Sequence, residues 1–197
     1  MSELGLVTFV LGTRPEAIKL APIIKMFKTN NDISTRVITT GQHKEMVSQV
    51  LNLFEITQDH DIKLMRKNQS LTHITCSALK ELEKEFELHP PKLVLVQGDT
   101  TTAFAAALAA FYQKIEIGHI EAGLRTNNKY DPFPEEVNRR LISQMAEIHF
   151  APTENARKNL NQDGISKNIF VTGNSVIDSL IMMSNVVDSA KFDGINW

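Results

Sequence analysis

Residues 6–27, LVTFVLGTRPEAIKLAPIIKMF, hold in one piece the pattern that repeats along the chain. Residues 6–11 form a β-rich apolar run. Gly12-Thr13-Arg14-Pro15-Glu16 follows as a tight strand-to-helix turn, in which glycine frees the backbone and proline suits the first helical position. Ala17, Leu20, Ala21, Ile24 and Phe27 then fall on one helical face, with Pro22 expected to bend the helix. Further strands are expected at 35–39, 62–65, 92–96, 115–120, 148–151 and 168–171. Helical faces lie between them: Met46, Val47, Val50, Leu51 and Phe54; then Leu71, Ile74, Ala78, Leu82 and Phe86; then an alanine-rich segment, 100–112, able to approach the strands closely. Strands alternating with helices predict a parallel sheet wrapped on both sides, a doubly wound, Rossmann-like α/β fold. No repeat or Gly/Ser linker divides residues 1–187, which read as one domain. Residues 188–197 lose the helical period and then stop, which reads as a cut.

The chain has 197 residues, 21 Lys and Arg against 23 Asp and Glu, and a formal charge of −2, so no basic excess points to nucleic acid. Hydrophobic residues make up 42%, enough for a full core. The longest apolar run, 103–112, falls short of the roughly 18 residues a membrane helix needs. The start, MSELG, lacks the basic opening of a secretory signal, and Cys76 is a single cysteine, so a cytoplasmic location is expected.

In an open parallel sheet, ligands bind at the carboxyl ends of the strands. Here the first strand runs into Gly12–Pro22, the fourth into GDTTTA (98–103) and the fifth into EAGLRT (121–126). Arg14, Asp99 and Glu121 should therefore converge on one rim. The first turn's N–H groups could hold an anion, with Arg14 as a planar fork and Lys19 as a second cation. The bland alternatives are a plain helix start for that turn, an N-cap role for Asp99, and a structural pair with Arg125 for Glu121. In DPFPEEVNRRLIS (131–143), Glu135 and Glu136 open a helix, with Arg139 and Arg140 a turn later; a capped surface helix with ion pairs is the bland reading. His119-Ile120-Glu121 has the H-x-E spacing of a zinc deaminase but no paired cysteines, so no zinc is expected. The GxGxxG and GxxxxGK[ST] fingerprints are absent.

Taken in order, GTRPEAIKLAP, GQH (41–43), GDTTTA, GHIEAGLRT (118–126), PFPEEVNRRLIS (132–143), APTE (151–154) and VTGNSVID (171–178) closely resemble the N-terminal half of the non-hydrolysing UDP-N-acetylglucosamine 2-epimerases. The resemblance implies a glycosyltransferase-B-like pair of Rossmann-type domains with substrate in the cleft between them, residues 188–197 being the start of the interdomain linker and the second domain absent from this chain. It implies Asp99, Glu121 and Glu135 as catalytic carboxylates around the sugar, Arg14 and Lys19 toward the diphosphate, and Gln42 and His43 in a second, activating substrate site. It also implies a homodimer, no redox cofactor, and interconversion of UDP-N-acetylglucosamine and UDP-N-acetylmannosamine through 2-acetamidoglucal. The family's second domain supplies further substrate contacts, so the isolated fragment is expected to be inactive. Glu45 and Asn68 stand where the family pattern has Gln and Arg, which predicts weakened activation. The competing readings are a hydrolysing epimerase and a glycosyltransferase of the same architecture.

Overall fold

The structure, a computed structural model, describes residues 5–42, 44–64 and 69–189, the last five by backbone alone. Seven strands run β1 (Leu6–Leu11), β2 (Ser34–Thr39), β3 (His60–Asp61), β4 (Leu93–Gln97), β5 (Glu116–Ile120), β6 (Ile148–Ala151) and β7 (Ile169–Val171). Between and after them lie α1 (Arg14–Lys28), α2 (Lys44–Leu53), α3 (Leu71–Leu88), α4 (Thr101–Tyr112), α5 (Glu135–Met145), α6 (Glu154–Gln162) and α7 (Val176–Ser189). All strand pairs are parallel, in the order β3-β2-β1-β4-β5-β6-β7. The chain starts in the middle, winds one way to β3, then returns through β4 to the other side. This is the doubly wound fold the alternation predicts, with its switch point between β1 and β4.

The sheet is buried on both faces, which is why its central strands are mostly apolar, with Thr8 of β1, Gln97 of β4 and His119 of β5 as buried polar residues. Val7, Phe9 and Leu11 of β1, with Leu95 of β4, pack against α1 and α2; Val10 of β1, with Val94 and Val96 of β4, packs on the opposite side with α3, α4 and α5. The two-residue period of a strand thus feeds two cores. In α4, Ala103, Ala105, Ala106, Ala107, Ala109 and Ala110 are all buried. Small side chains let this helix lie between the sheet and its neighbours without loss of rotamer freedom. A third, smaller cluster, Ala122, Ala151, Ala156 and Leu160, seats α6 beside β6.

Strand positions match the sequence expectation to within a residue except at β3, which covers Asp61 and the residue before it in place of 62–65. The Ile62 and Leu64 amides still bond Thr39 and Thr40 carbonyls, but Lys63 has φ +49 and breaks the extended run. Met65 lies outside the described residues. Helix α1 passes through Pro22 without interruption, and α7 continues to Ser189, past the boundary placed at 187. No helix among the described residues is long and apolar enough to cross a membrane.

Candidate active site

The carboxyl ends of β1, β4 and β5 meet at the switch point. Gly98 has φ +70 and its amide donates to the Ile120 carbonyl at 2.9 Å, so the ends of β4 and β5 are tied where the two carboxylates emerge. Glu121 follows β5 directly with φ +66, a left-handed conformation that is uncommon outside glycine. Its side chain is 11% exposed and crowded with donors. Lys19 Nζ lies 2.7 Å from both carboxylate oxygens, Asn174 Nδ2 is 2.7 Å from Oε1, and Gln97 Nε2 donates to Oε2. One carboxylate therefore ties together α1, the end of β4 and the loop before α7.

Asp99 is one residue ahead of the cap of α4. Thr100 takes the capping role, its hydroxyl accepting from the Ala103 amide at 3.0 Å. That leaves the Asp99 carboxylate for Arg139, whose Nη2 stands 2.6 Å away, while Asn138 Nδ2 donates to the Asp99 carbonyl at 2.9 Å. Burial pushes the Asp99 carboxyl up; the Arg139 guanidinium pulls it back, and the charges of Glu135 and Glu121 raise it further. Glu121 and Glu135, from two other parts of the fold, thus both lie within electrostatic reach of Asp99. Glu135 is the first residue of α5, where the helix dipole favours negative charge.

Its neighbour Glu136 has a different job. Fully buried, it accepts from the Thr126 amide at 3.0 Å and from Arg140 Nε at 3.0 Å, and these donors hold it below the usual carboxylate range. The i,i+4 pair expected of a surface helix is present, but inside the protein.

Three local readings of the sequence are corrected. First, the turn after β1 is not open to an anion through its early amides: Glu16 closes a capping box, its Oε2 accepting from Gly12 N at 2.9 Å and Thr13 N at 2.6 Å. Its other oxygen accepts from Thr100 at 2.6 Å, and burial pushes its carboxyl up. The Thr13-x-x-Glu16 spacing was the available signal. Second, Arg125 pairs with Asp163 at 2.7 Å, not with Glu121. Third, Asp99 is not the cap. His119 faces inward: its Nε2 lies 2.7 Å from the Gly98 carbonyl, and complete burial lowers its pKa to about 3, so it is neutral and supports the Gly98 turn.

Arg14 is exposed and lines an open cleft of 340 Å³ with Pro15, Ile18, Lys19 and Val176. Gln42 reaches the same edge of the sheet, its Oε1 accepting from Thr102 Oγ1 at 3.0 Å. His43 and Asn68 lie outside the described residues; Glu45 is exposed in the first turn of α2. Gln97 and Asn174 were missed as partners of Glu121, although Gln97 is the last residue of β4 and Asn174 lies in the loop after β7, at the strand ends where the topology rule directs attention.

Comparison with known proteins fits this geometry. The family model described as UDP-N-acetylglucosamine 2-epimerase matches residues 25–195. A UDP-N-acetylglucosamine 2-epimerase from Neisseria meningitidis is 55% identical over 174 residues, 88% of this chain and 47% of the relative. One from Bacillus subtilis is 50% identical over 181 residues, 91% of this chain and 47% of the relative. The crystal structure of UDP-GlcNAc 2-epimerase from N. meningitidis bound to UDP-GlcNAc matches with a TM-score of 0.89 at 52% identity, covering 93% of this chain and 50% of that one. The Methanocaldococcus jannaschii enzyme in complex with UDP-GlcNAc and UDP matches with a TM-score of 0.89 at 34% identity, over 94% of this chain and 51% of that one. The chain spans about half the length of the curated relatives it matches. With its motifs in order and its fold in agreement, the chain belongs to the UDP-N-acetylglucosamine 2-epimerase family.

Proposed function

We propose that this chain supplies the N-terminal half of the catalytic machinery of an enzyme that interconverts UDP-N-acetylglucosamine and UDP-N-acetylmannosamine. Residues 1–187 would form its first domain, the sugar nucleotide lying between that domain and a second. The observation that carries the reading is that Glu121 and Glu135 both act electrostatically on Asp99, while Lys19 contacts Glu121 and shares a cleft with Arg14, at the switch point.

The substrate explains why such a cluster is needed. The hydrogen on carbon 2 of the sugar is not next to a carbonyl, so direct removal as a proton is too slow. As the bond from carbon 1 to the diphosphate oxygen breaks, its electron pair leaves with UDP and positive charge grows on carbon 1. The carbon 2 proton then passes to a carboxylate, and the C–H electron pair becomes the double bond of 2-acetamidoglucal. A second group delivers a proton to the opposite face of carbon 2, and the UDP oxygen bonds again to carbon 1. Nothing is oxidised or reduced.

Asp99, Glu121 and Glu135 are assigned to proton handling and charge stabilisation at the sugar. Arg14 is assigned to the leaving diphosphate, since it is exposed and forms no ion pair among the described residues. Lys19 takes a double role: its contact with both oxygens of Glu121 holds that carboxylate in place, and its position in the Arg14 cleft keeps a cation close to the phosphates. Gln42 and His43 are assigned to substrate contact at the neighbouring edge, and Glu45 is expected to weaken activation by a second anionic substrate. We further propose a cytoplasmic homodimer.

The test is proton NMR of UDP-N-acetylglucosamine in D₂O, with the full-length protein that carries this chain and, in parallel, with residues 1–197. Deuterium at carbon 2 together with UDP-N-acetylmannosamine is expected from the former, and none from the latter. Sugar transfer to an acceptor without deuterium at carbon 2 would overturn the proposal in favour of a glycosyltransferase, and release of free N-acetylmannosamine in favour of a hydrolysing epimerase.

A further inference from the structure

Helix α5 does more than deliver Glu135. Two successive residues, Asn138 and Arg139, grip Asp99 from the same helix: Asn138 Nδ2 donates to the Asp99 carbonyl at 2.9 Å, and Arg139 Nη2 meets Oδ2 at 2.6 Å. Main chain and side chain are both restrained. The eleven-residue helix that carries one of the clustered carboxylates therefore also orients another.

Arg139 is itself fixed in place. Its side chain is 10% exposed, and its Nη1 lies 3.6 Å from the buried Glu136. Glu136 is bonded to Arg140, Arg140 to Asp163 at 3.0 Å, and Asp163 to Arg125 at 2.7 Å. Charges alternate along this line: Asp99, Arg139, Glu136, Arg140, Asp163, Arg125. Arg139 Nε is buried without a hydrogen-bond acceptor, so Asp99 and Glu136 are what compensate this guanidinium. A buried arginine with an unused donor is expensive as mere scaffolding.

We propose that Arg139 is a positioning residue for the reaction, fixing where the Asp99 carboxylate points relative to the sugar. The inference rests on the epimerase reading above. Asp99 is faced by Arg139 and Glu135 from α5, by Glu121 from the end of β5 and by Lys19 from α1. Burial and two like charges oppose its ionisation, and of the two cations Arg139 acts more strongly on it. Without Arg139 the carboxyl holds its proton to higher pH and its side chain is free to turn from the sugar.

Two measurements test this. The first needs no activity: carbon NMR of aspartate carboxyls through a pH titration of the 197-residue chain, for the wild type, Arg139→Met, Arg139→Lys and Arg140→Met. Asp99 is expected to titrate higher by about one pH unit or more in Arg139→Met, little changed in Arg139→Lys, and unchanged in Arg140→Met. The second follows deuterium entry at carbon 2 with the full-length protein. Arg139→Met is expected to lower kcat about tenfold or more, with KM within about threefold and the acidic limb of the pH profile moved up. Arg139→Lys keeps the charge but not the planar fork, and should recover part of the rate with the limb near its wild-type position. An Asp99 titration unmoved in Arg139→Met, or Arg139 variants with wild-type rates and profiles, overturns the inference. A wild-type full-length protein that exchanges no carbon 2 hydrogen instead overturns the functional reading, while the titration still decides whether Arg139 governs Asp99.

Discussion

Replacing Gly123 by alanine should destabilise the protein far more than the same change at Gly164, because of what surrounds each glycine. Both glycines are left-handed, with φ +89 and +85. Alanine in that region loses about 1–2 kcal/mol, offset in part by its stiffer unfolded chain. At Gly164 nothing lies within 4 Å of the added carbon, so the backbone contribution stands alone. At Gly123 the added carbon would sit 2.2 Å from the Ala156 carbonyl oxygen, 2.8 Å from its carbon and 3.0 Å from Leu160 Cγ. The obstacle is backbone inside α6, which cannot swing aside as a side chain can.

Relief requires moving α6 away from the 122–124 turn, straining the Asn159 Nδ2 bond to the Gly123 carbonyl at 2.9 Å. Overpacking adds about 1–3 kcal/mol and the lost hydrogen bond about 1 kcal/mol. The expected totals are about 3–5 kcal/mol for Gly123→Ala and about 1–2 kcal/mol for Gly164→Ala, against a typical stability of about 5–15 kcal/mol. Urea unfolding followed by far-UV circular dichroism, with the slope m unchanged, measures both. If the two variants agree to within about 0.5 kcal/mol, the steric reasoning is wrong. Because Glu121 is two residues upstream, the same shift should also slow catalysis in the full-length protein.

Buried groups give the stability a pH dependence of opposing signs. His119 titrates at about 3 in the fold against 6.5 for the free side chain, so the unfolded chain binds its proton first as pH falls below 6.5. Its contribution should be lost progressively between 6.5 and about 3, on the order of several kcal/mol, and urea midpoints for His119→Gln should decline less over that window. Glu16 is raised above 4.5 in the fold, so its contribution is lost as pH rises from that value. Glu16→Gln should therefore gain on the wild type between pH 4.5 and neutrality; a constant difference would refute this. In the full-length protein, Glu121→Gln and Lys19→Met should each slow deuterium entry at carbon 2 by about 10²–10⁴-fold while leaving the far-UV spectrum intact. Wild-type rates in either variant would remove that residue from the assignment.

The fold was readable from residue order because its causes are local and periodic. A strand buried on both faces is mostly apolar, as at β1 and β4, and a helix against a sheet must be apolar on one side; alternation of the two then leaves few topologies. The rim holding Arg14, Asp99 and Glu121 followed from the same rule, since the carboxyl ends of parallel strands share one edge. β3 failed because its length depends on one left-handed residue, Lys63, which periodicity does not register.

Partnership within the site was decided by tertiary structure. Opposite charges close in sequence, Glu121 and Arg125, are on separate sides of their turn, whereas Lys19 and Glu121, 102 residues apart, are in contact. Asp99 finds Arg139 because α4 and α5 pack side by side, and Glu136 is buried where its position beside Glu135 suggested a surface. Sequence determined which chemical groups reach the rim, because strand ends are fixed by backbone periodicity. Which carboxylate each cation neutralises depends on angstrom-scale packing between elements far apart in the chain, and only the folded molecule decides it.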